Sequence, residues 1–193
     1  MPAADVIAAW DQADPADIHP LRQVSELAYL NSGASQAEQI ATVIPVGSSV
    51  VDFGCGDGRV AVPLQGLGFN VTGVDSSPAM LKRLSARAPA MTTVQSDGLN
   101  LAARLDEPVD AVIALAILIH HSRADGARII TGLATAVRPG GHLILDWPVS
   151  EHPRDGRHWI DITTWGADEQ AALVRKLGLT PVDTDLPWSV WRT

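Results

Sequence analysis

From Val50 onward the chain alternates two patterns of hydrophobic positions. Short runs of β-branched and other apolar residues, each bounded by Gly, Pro or Asp, are typical of buried strands. The predicted strands are Val50–Phe53, Asn70–Val74, Thr92–Gln95, Val109–Ala114 and His142–Trp147.

Between these runs, apolar residues recur with the helical period. The predicted helices are Arg59–Leu67, Pro78–Arg87 and Arg123–Val137, with a short segment at Leu99–Leu105. Ser76 or Ser77 supplies an N-cap before Pro78, which suits the first turn of a helix. Strands that alternate with helices predict an α/β fold, with a mostly parallel, doubly wound sheet and helices on both faces.

Two flanks differ from this core. The first 45 residues are helical in pattern, with "NSGAS" as a break and Ser35 as the N-cap of a helix Gln36–Ile44; we interpret them as a lid. Their apolar anchors are Trp10, Leu21, Leu27, Tyr29 and Leu30. At the other end, "GADEQAALVRKLG" predicts a helix that Gly178 ends, followed by short strands at Thr180–Asp183 and Ser189–Trp191.

Length and composition limit the function classes. With 193 residues, we expect a single domain over 1–193, made of a helical flank or lid (1–45) and a core (46–193). The formal net charge of -8 and the lack of a Lys/Arg cluster disfavour nucleic acid as a partner. A lone cysteine, Cys55, excludes an intrachain disulfide and fits a cytoplasmic location. No run of about 18 apolar residues predicts a membrane span.

Candidate chemistry begins directly after the first predicted strand, in "VVDFGCGDGRV". Gly54, Gly56 and Gly58 let the backbone approach a ligand where a Cβ would collide, and the following helix points its N–H groups at the same place. A glycine-rich turn can also serve only to close a tight strand-to-helix corner. The loop alone leaves both interpretations open.

Carboxylates after the next strands favour a nucleoside ligand. Asp75 follows the second strand, where a carboxylate accepts hydrogen bonds from ribose hydroxyls, and Asp97 with Gly98 follows the third. Asp75 could instead cap the next helix, and Asp97-Gly98 could be an ordinary turn. Arg59 occupies the place of the third glycine in the dinucleotide fingerprint, which argues against NAD. Asp52, at the strand end, suits a cationic ligand, and the combination points to a sulfonium nucleoside.

The order and spacing of five segments resemble the class I S-adenosylmethionine-dependent methyltransferases. The segments are "VVDFGCGDGRV", "VTGVDSSPAML", "QSDGLNL", "VDAVIALAILIHH" and "VRPGGHLIL". The resemblance covers about residues 35 to 147. It implies a Rossmann-like sheet of seven strands whose last strand is antiparallel, with S-adenosylmethionine as cofactor and S-adenosylhomocysteine as product.

The resemblance also implies roles for individual residues. Asp52 and the loop glycines line the methionine part of the cofactor, Asp75 with Ser76 holds the ribose, and Met80 packs near the adenine. Asp97 and Gly98 contact the adenine edge. The segment "AYLNSG", Tyr29 to Gly33, resembles the part that closes over the cofactor in small members of the family.

Candidates for acceptor chemistry lie after the fourth and fifth strands. His120 and His121 could act as a general base, or they could be packed structural histidines, which we favour. Asp146, on the same sheet edge, could bind the acceptor or orient a histidine. In "HPRDGRHWIDITTW", His158, Trp159 and Trp165 are candidates for the acceptor pocket, although packing of the last helix explains them equally well. The spacing of the histidines does not demand a metal site.

The predicted function is methyl transfer to a small-molecule acceptor, with O-, N- or C-methylation left open. The expected partners are a small-molecule substrate, without nucleic acid or membrane, and the expected oligomeric state is monomer or homodimer. The alternative is a protein of the same fold that binds S-adenosylmethionine for a rearrangement or a regulatory role without transferring methyl groups, because one fold hosts many activities.

Overall fold

Seven strands form a single sheet in the computed structural model, which describes residues 3–13, 24–158 and 160–193. Leu21 and Trp159 lie outside the described residues. The spatial order is β3-β2-β1-β4-β5-β7-β6. The strands are β1 (Ser49–Phe53), β2 (Asn70–Asp75), β3 (Thr92–Gln95), β4 (Val109–Ala114), β5 (Val137–Leu145), β6 (Thr180–Pro181) and β7 (Ser189–Arg192).

The first five strands pair in parallel, whereas β7 runs antiparallel to β5 and to β6. This confirms the predicted mixed sheet with an antiparallel last strand. The strand order reverses between β1 and β4, so the loops after these strands diverge and leave a crevice at the carboxyl edge. Ligands bind at such a switch point in open α/β sheets.

Six α-helices cover the two faces of the sheet in the described residues. They are α1 (Ala3–Gln12), α2 (Glu26–Ile40), α3 (Ala61–Gly66), α4 (Pro78–Arg87), α5 (Arg123–Ala136) and α6 (Ala167–Leu177), with 3₁₀ turns at Leu101–Arg104 and Leu118–His120. Ser77 caps α4, and Gly178 ends α6 in the left-handed conformation, both as predicted. None of these helices combines the length and apolar character needed to cross a membrane.

The apolar core has two parts, one on each face of the sheet. Ile130 and Leu133 of α5 and Val174 of α6 pack on one face. Ile40 of α2 and Leu64 of α3 pack on the other. Because both faces are covered, the central strands are apolar at almost every position, and this explains why the sequence shows them as continuous runs.

Two predicted element boundaries were wrong, the start of helix α2 and the start of strand β5. Helix α2 starts after the cap Ser25 and runs through "NSGAS" without the predicted break at Ser35. Strand β5 begins at Val137, earlier than the predicted His142, because "RPGGH" continues the sheet through a register shift opposite β4. Local turn propensity was outweighed by tertiary packing in both places.

Packing of Gly33 explains why α2 continues. A Cβ at this position would lie 1.9 Å from the carbonyl oxygen of Arg59, so only glycine lets α2 approach the loop after β1. We expect Gly33→Ala to lower the free energy of unfolding by about 1–3 kcal/mol, since overpacking against backbone outweighs the roughly 1 kcal/mol gain in helix propensity.

Urea denaturation measures this effect, with Gly66→Ala as the matched control. Gly66 is also helical, but a Cβ there meets no atom within 4 Å. The control is expected to leave stability unchanged or to raise it. Equal midpoints for Gly33→Ala and the wild type would contradict the packing argument.

Candidate active site

A cavity of about 580 Å³ opens at the carboxyl edge of the sheet, at the switch point between β1 and β4. Its volume is typical of small-molecule sites. Most of the residues predicted for the site from the sequence line it. These residues are Tyr29, Asp52, Gly54, Gly56, Asp75, Ser76, Met80, Asp97, His120 and His121.

Four predicted site residues do not line the cavity. Gly33 packs against Arg59, and Gly58 packs against Leu84 of α4, which a Cβ would approach to 2.4 Å. Gly98 has φ +83° and lies against the ring of Phe53, so it shapes the turn after β3. Asp146 directly follows β5, and its backbone N–H donates to the carbonyl of Ala114 at the end of β4. The sequence pattern brought these loops to one edge of the sheet, but it could not show which of their residues face the cavity.

Asp75 fastens the glycine loop to the end of β2. The backbone N–H of Gly56 donates to Asp75 Oδ2 at 2.9 Å, and the backbone N–H of Ser77 donates to Oδ1 at 2.8 Å. Burial raises the pKa of the carboxyl, and these hydrogen bonds oppose the rise. A carboxylate offers about four acceptor positions, so at least one stays open beside the backbone N–H groups of Gly56, Ser76 and Ser77, and the residue lines the cavity, as a ribose-binding carboxylate requires.

Asp52 is a buried carboxyl at the end of β1. Its side chain is 4% exposed, and burial raises its pKa to about 7, with the guanidinium of Arg59 acting in the opposite direction. A buried carboxylate is costly unless a cation compensates it. Asp52 therefore suits the positively charged part of a ligand, as the sequence indicated.

This pKa makes the affinity for a cationic ligand depend on pH. Below about pH 7 the free protein holds a proton on Asp52, which must leave when a cation binds. Affinity for S-adenosylmethionine should therefore fall about tenfold per pH unit well below pH 7 and level off above it.

Calorimetry from pH 5 to pH 8 measures this dependence. Adenosine, which lacks the amino-acid part, is the control ligand, and its affinity should not follow the same curve. Asp52→Asn should weaken binding at pH 8 and flatten the profile. A wild-type profile that is flat through pH 7 would remove Asp52 from this role.

Tyr29 connects helix α2, the glycine loop and α4. Its hydroxyl donates to Asp57 Oδ1 at 2.8 Å, and Arg87 Nη1 donates to Asp57 Oδ2 at 2.9 Å. Burial and the neighbouring Asp57 raise the pKa of Tyr29, so its hydroxyl stays protonated. Asp57 is a positioning residue of the loop that the sequence analysis did not identify.

Arg59 has a role beyond the exclusion of a dinucleotide. It lines the cavity, donates to Ser32 Oγ at 3.1 Å and lies 5.7 Å from the ring centre of Tyr29. A guanidinium near the buried Asp52 supplies complementary charge for a zwitterion: Asp52 for the ammonium, Arg59 for the carboxylate. The sequence signal was present, since Arg59 directly follows the glycine motif.

Helix α1 borders the cavity. Val6, Ile7 and Trp10 line the cavity. The Trp10 ring packs edge-on against His120, with 5.7 Å between centroids, and the Ser77 hydroxyl donates to Asp11. The helix thus contacts both the nucleoside side and the histidine side of the site.

The second half of the cavity combines the histidines with apolar side chains. Burial lowers the pKa of His121, and the charge of Asp125 opposes this shift. Asp125, Arg128 and six isoleucines also line the cavity. Four of the isoleucines belong to the segments after β4 and before α6, namely Ile117, Ile119, Ile160 and Ile162. His121 is therefore neutral at neutral pH and able to accept a proton.

The segment between β5 and α6 contributes other residues than those predicted. Trp165 is buried in the core against Trp147, with 5.3 Å between ring centroids, and His158 is exposed. Ile160 and Ile162 of the same segment line the cavity, and the N–H of Thr163 donates to the carbonyl of Ile119 at 2.8 Å. Trp159 lies outside the described residues.

The residues present fit S-adenosylmethionine. Gly56 has φ +54°, and a Cβ there would meet no protein atom within 4 Å, so the backbone of the loop borders open space in the cavity. Around that space lie Asp52, Arg59 and Asp75, with charges suited to an amino acid and a ribose. Among the described residues, no group of His, Cys, Asp or Glu is arranged to hold a metal ion.

Comparison with known proteins agrees with this geometry. The methyltransferase domain family matches residues 50–141. Ubiquinone biosynthesis O-methyltransferase from a Methylobacterium species is 30% identical over 91% of this chain and 78% of its own length. The protein of the same name from Albidiferax ferrireducens is 32% identical over 86% of this chain and 66% of its own length.

A solved structure shows the same fold. The Burkholderia thailandensis 1,6-didemethyltoxoflavin-N1-methyltransferase, with bound 1,6-didemethyltoxoflavin and S-adenosylhomocysteine, superimposes with a TM-score of 0.67 at 20% identity. The match covers 100% of this chain and 91% of the other. Fold, site and relatives together define a methyltransferase. The chain belongs to the class I S-adenosylmethionine-dependent methyltransferases, as the sequence resemblance implied.

Proposed function

We propose that the protein transfers the methyl group of S-adenosylmethionine to a hydroxyl group of a small, largely apolar acceptor. The observation that supports this best is that one cavity is lined by the carboxylates at the ends of β1 and β2 and also by isoleucines and His121, a half-buried histidine whose pKa is lowered by burial. The names of the curated relatives, which describe O-methylation in ubiquinone biosynthesis, support a hydroxyl acceptor.

The residues divide into three tasks in this proposal. Asp75 and Ser76 hold the ribose, Met80 and Asp97 border the adenine, and Gly54 and Gly56 leave room for the methionine part. Asp52 and Arg59 bind its ammonium and carboxylate. Lid residues Trp10 and Tyr29 keep water out, which favours reaction between correctly oriented groups.

His121 removes the acceptor proton in this proposal. Bound S-adenosylmethionine supplies an electrophilic methyl group on a sulfonium. When the acceptor oxygen bonds to that carbon, the carbon–sulfur bond would break and S-adenosylhomocysteine would leave as a neutral thioether, while the hydroxyl proton would pass to the neutral imidazole of His121 and then to solvent. His120, packed against Trp10, supports the loop. The isoleucines favour an apolar body for the acceptor.

The remaining expectations extend the proposal to the whole chain. We propose a single domain over 1–193 with 1–45 as its lid, acting in the cytoplasm as a monomer or homodimer and without nucleic acid as substrate. The net charge of -8 supports the last point. The alternative, a cofactor-binding protein that transfers no methyl group, gains no support from the relatives, which are named methyltransferases.

A matched acceptor panel tests the acceptor class. Purified protein is incubated with S-adenosylmethionine and 4-alkylcatechols, the corresponding 4-alkylanilines and the corresponding dimethyl ethers. Mass spectrometry then detects methylated acceptor and S-adenosylhomocysteine. We expect product from the catechols, with KM falling as the alkyl group lengthens, and none from the ethers. Product from the anilines alone would replace the hydroxyl by an amine as the acceptor.

A further inference from the structure

The turn after β4 contains an unusual backbone conformation. Ala116 has φ +58°, and among the non-glycine residues that the structure describes it is the one with a positive φ. A Cβ makes this left-handed conformation unfavourable, so a surrounding contact must hold it. Ala116 itself lines the cavity, between Leu115 and Ile117.

Asp146 lies beside this turn. Its backbone N–H donates to the carbonyl of Ala114 at 3.1 Å. Burial raises the pKa of its carboxyl, and the backbone of Ala116 acts in the opposite direction, which places that carboxyl close to the Ala116 N–H. Asp146, directly after β5, therefore contacts the end of β4 through its backbone and faces the Ala116 turn with its carboxyl. The Asp146 side chain is largely covered by protein and does not line the cavity, so it cannot meet an acceptor directly in this arrangement.

The strained turn leads directly into the histidine segment. The N–H of His120 donates to the carbonyl of Ile117 at 3.0 Å, and the N–H of His121 donates to that of Leu118 at 3.3 Å. These short-range hydrogen bonds make residues 117–121 a compact unit. Its direction relative to the sheet is set at Ala116, the residue at which the chain leaves β4.

We infer that Asp146 is a positioning residue, whose carboxylate holds Ala116 in the left-handed conformation and thereby sets the place of His120 and His121 in the cavity. This role differs from the acceptor-binding role that the sequence suggested for Asp146. The inference rests on the proposed function only for the role of His121 in methyl transfer. The claim that Asp146 sets the conformation of the loop does not depend on that function.

The test compares Asp146→Ala with the double variant Asp146→Ala/Ala116→Gly. Glycine adopts positive φ without the Cβ penalty, so it should keep the turn when the carboxylate is absent. The readout is the imidazole NMR spectrum of the complex with S-adenosylhomocysteine, assigned by single His→Gln variants. His142 and His158, which do not line the cavity, are internal controls.

We expect Asp146→Ala to shift or broaden the His120 and His121 resonances and to move the pKa of His121 back toward its ordinary value. The double variant should recover at least half of both changes. S-adenosylhomocysteine affinity should stay within threefold of wild type in both. Unchanged His120 and His121 signals in Asp146→Ala, or no recovery in the double variant, would overturn the inference.

Asp146→Asn covers the case in which Asp146→Ala does not fold. Its amide oxygen can still accept from Ala116, so a positioning role predicts near wild-type histidine signals, whereas altered signals contradict it. On any acceptor found in the panel, kcat should fall at least tenfold in Asp146→Ala and recover partly in the double variant, with the KM for S-adenosylmethionine unchanged. A panel without product contradicts the hydroxyl acceptor and leaves the NMR result decisive for Asp146.

Discussion

Replacing Asp75 by alanine is expected to lower the affinity for S-adenosylhomocysteine by about 100-fold or more. The carboxylate has two tasks, since it accepts from the Gly56 N–H at 2.9 Å and offers its remaining acceptor positions to the ribose. Losing two hydrogen bonds to a charged group costs about 3 kcal/mol or more, which corresponds to roughly two orders of magnitude in Kd. Isothermal titration calorimetry at pH 8 measures this loss.

Two further variants separate the ribose contact from a general loss of structure. Asp110→Ala is the matched control, because Asp110 also accepts from a backbone N–H, that of Ser49 at 2.7 Å, but at the opposite edge of the sheet. It should change the thermal midpoint and leave the affinity unchanged. Asp75→Asn should bind with intermediate affinity. An Asp75→Ala protein that binds within threefold of wild type would remove Asp75 from the ribose role.

The convergence of the carboxylates after β1, β2 and β3 on one cavity could be predicted from the sequence for a physical reason. Parallel strands end at one edge, so residues that follow successive strands must converge there, whatever the detailed loop conformation. This explains why strand predictions alone could bring Asp52, Asp75 and Asp97 together, and all three line the cavity. Ser76 and Met80, which the family resemblance suggested, also line the cavity, because the capped helix α4 begins directly after β2.

Residues whose position depends on contacts between distant segments could not be predicted in this way. The approach of Gly33 to Arg59 joins α2 to the loop after β1, and the sequence pattern around "NSGAS" instead favoured a break. In the segment before α6, the sequence left open whether His158, Trp159 and Trp165 line a pocket or pack against the last helix. The structure buries Trp165 in the core and directs Ile160 and Ile162 to the cavity, since loop conformation is decided by tertiary packing.

His121→Ala is expected to have the largest effect on turnover, a fall in kcat of about 10²–10⁴-fold with little change in the KM for S-adenosylmethionine. The imidazole acts as a base only when neutral. Burial lowers its pKa below the usual 6.5, so wild-type kcat should rise with pH below about 6.5 and stay constant above it. The experiment is done at saturating S-adenosylmethionine, because Asp52 also has a raised pKa. A bound cation is expected to keep Asp52 ionised, so that the fall in kcat at low pH reports on His121.

Two control variants decide between a base and a packed histidine. His158→Ala, an exposed histidine of the segment before α6, should leave kcat unchanged. His121→Gln retains a polar side chain of similar reach but cannot take a proton, so it should be as slow as His121→Ala. A purely structural role predicts the opposite: His121→Gln would recover most of the turnover, and the acidic limb would persist in it. Recovery of that kind would leave the acceptor hydroxyl to ionise without His121, and His120 would become the next residue to test.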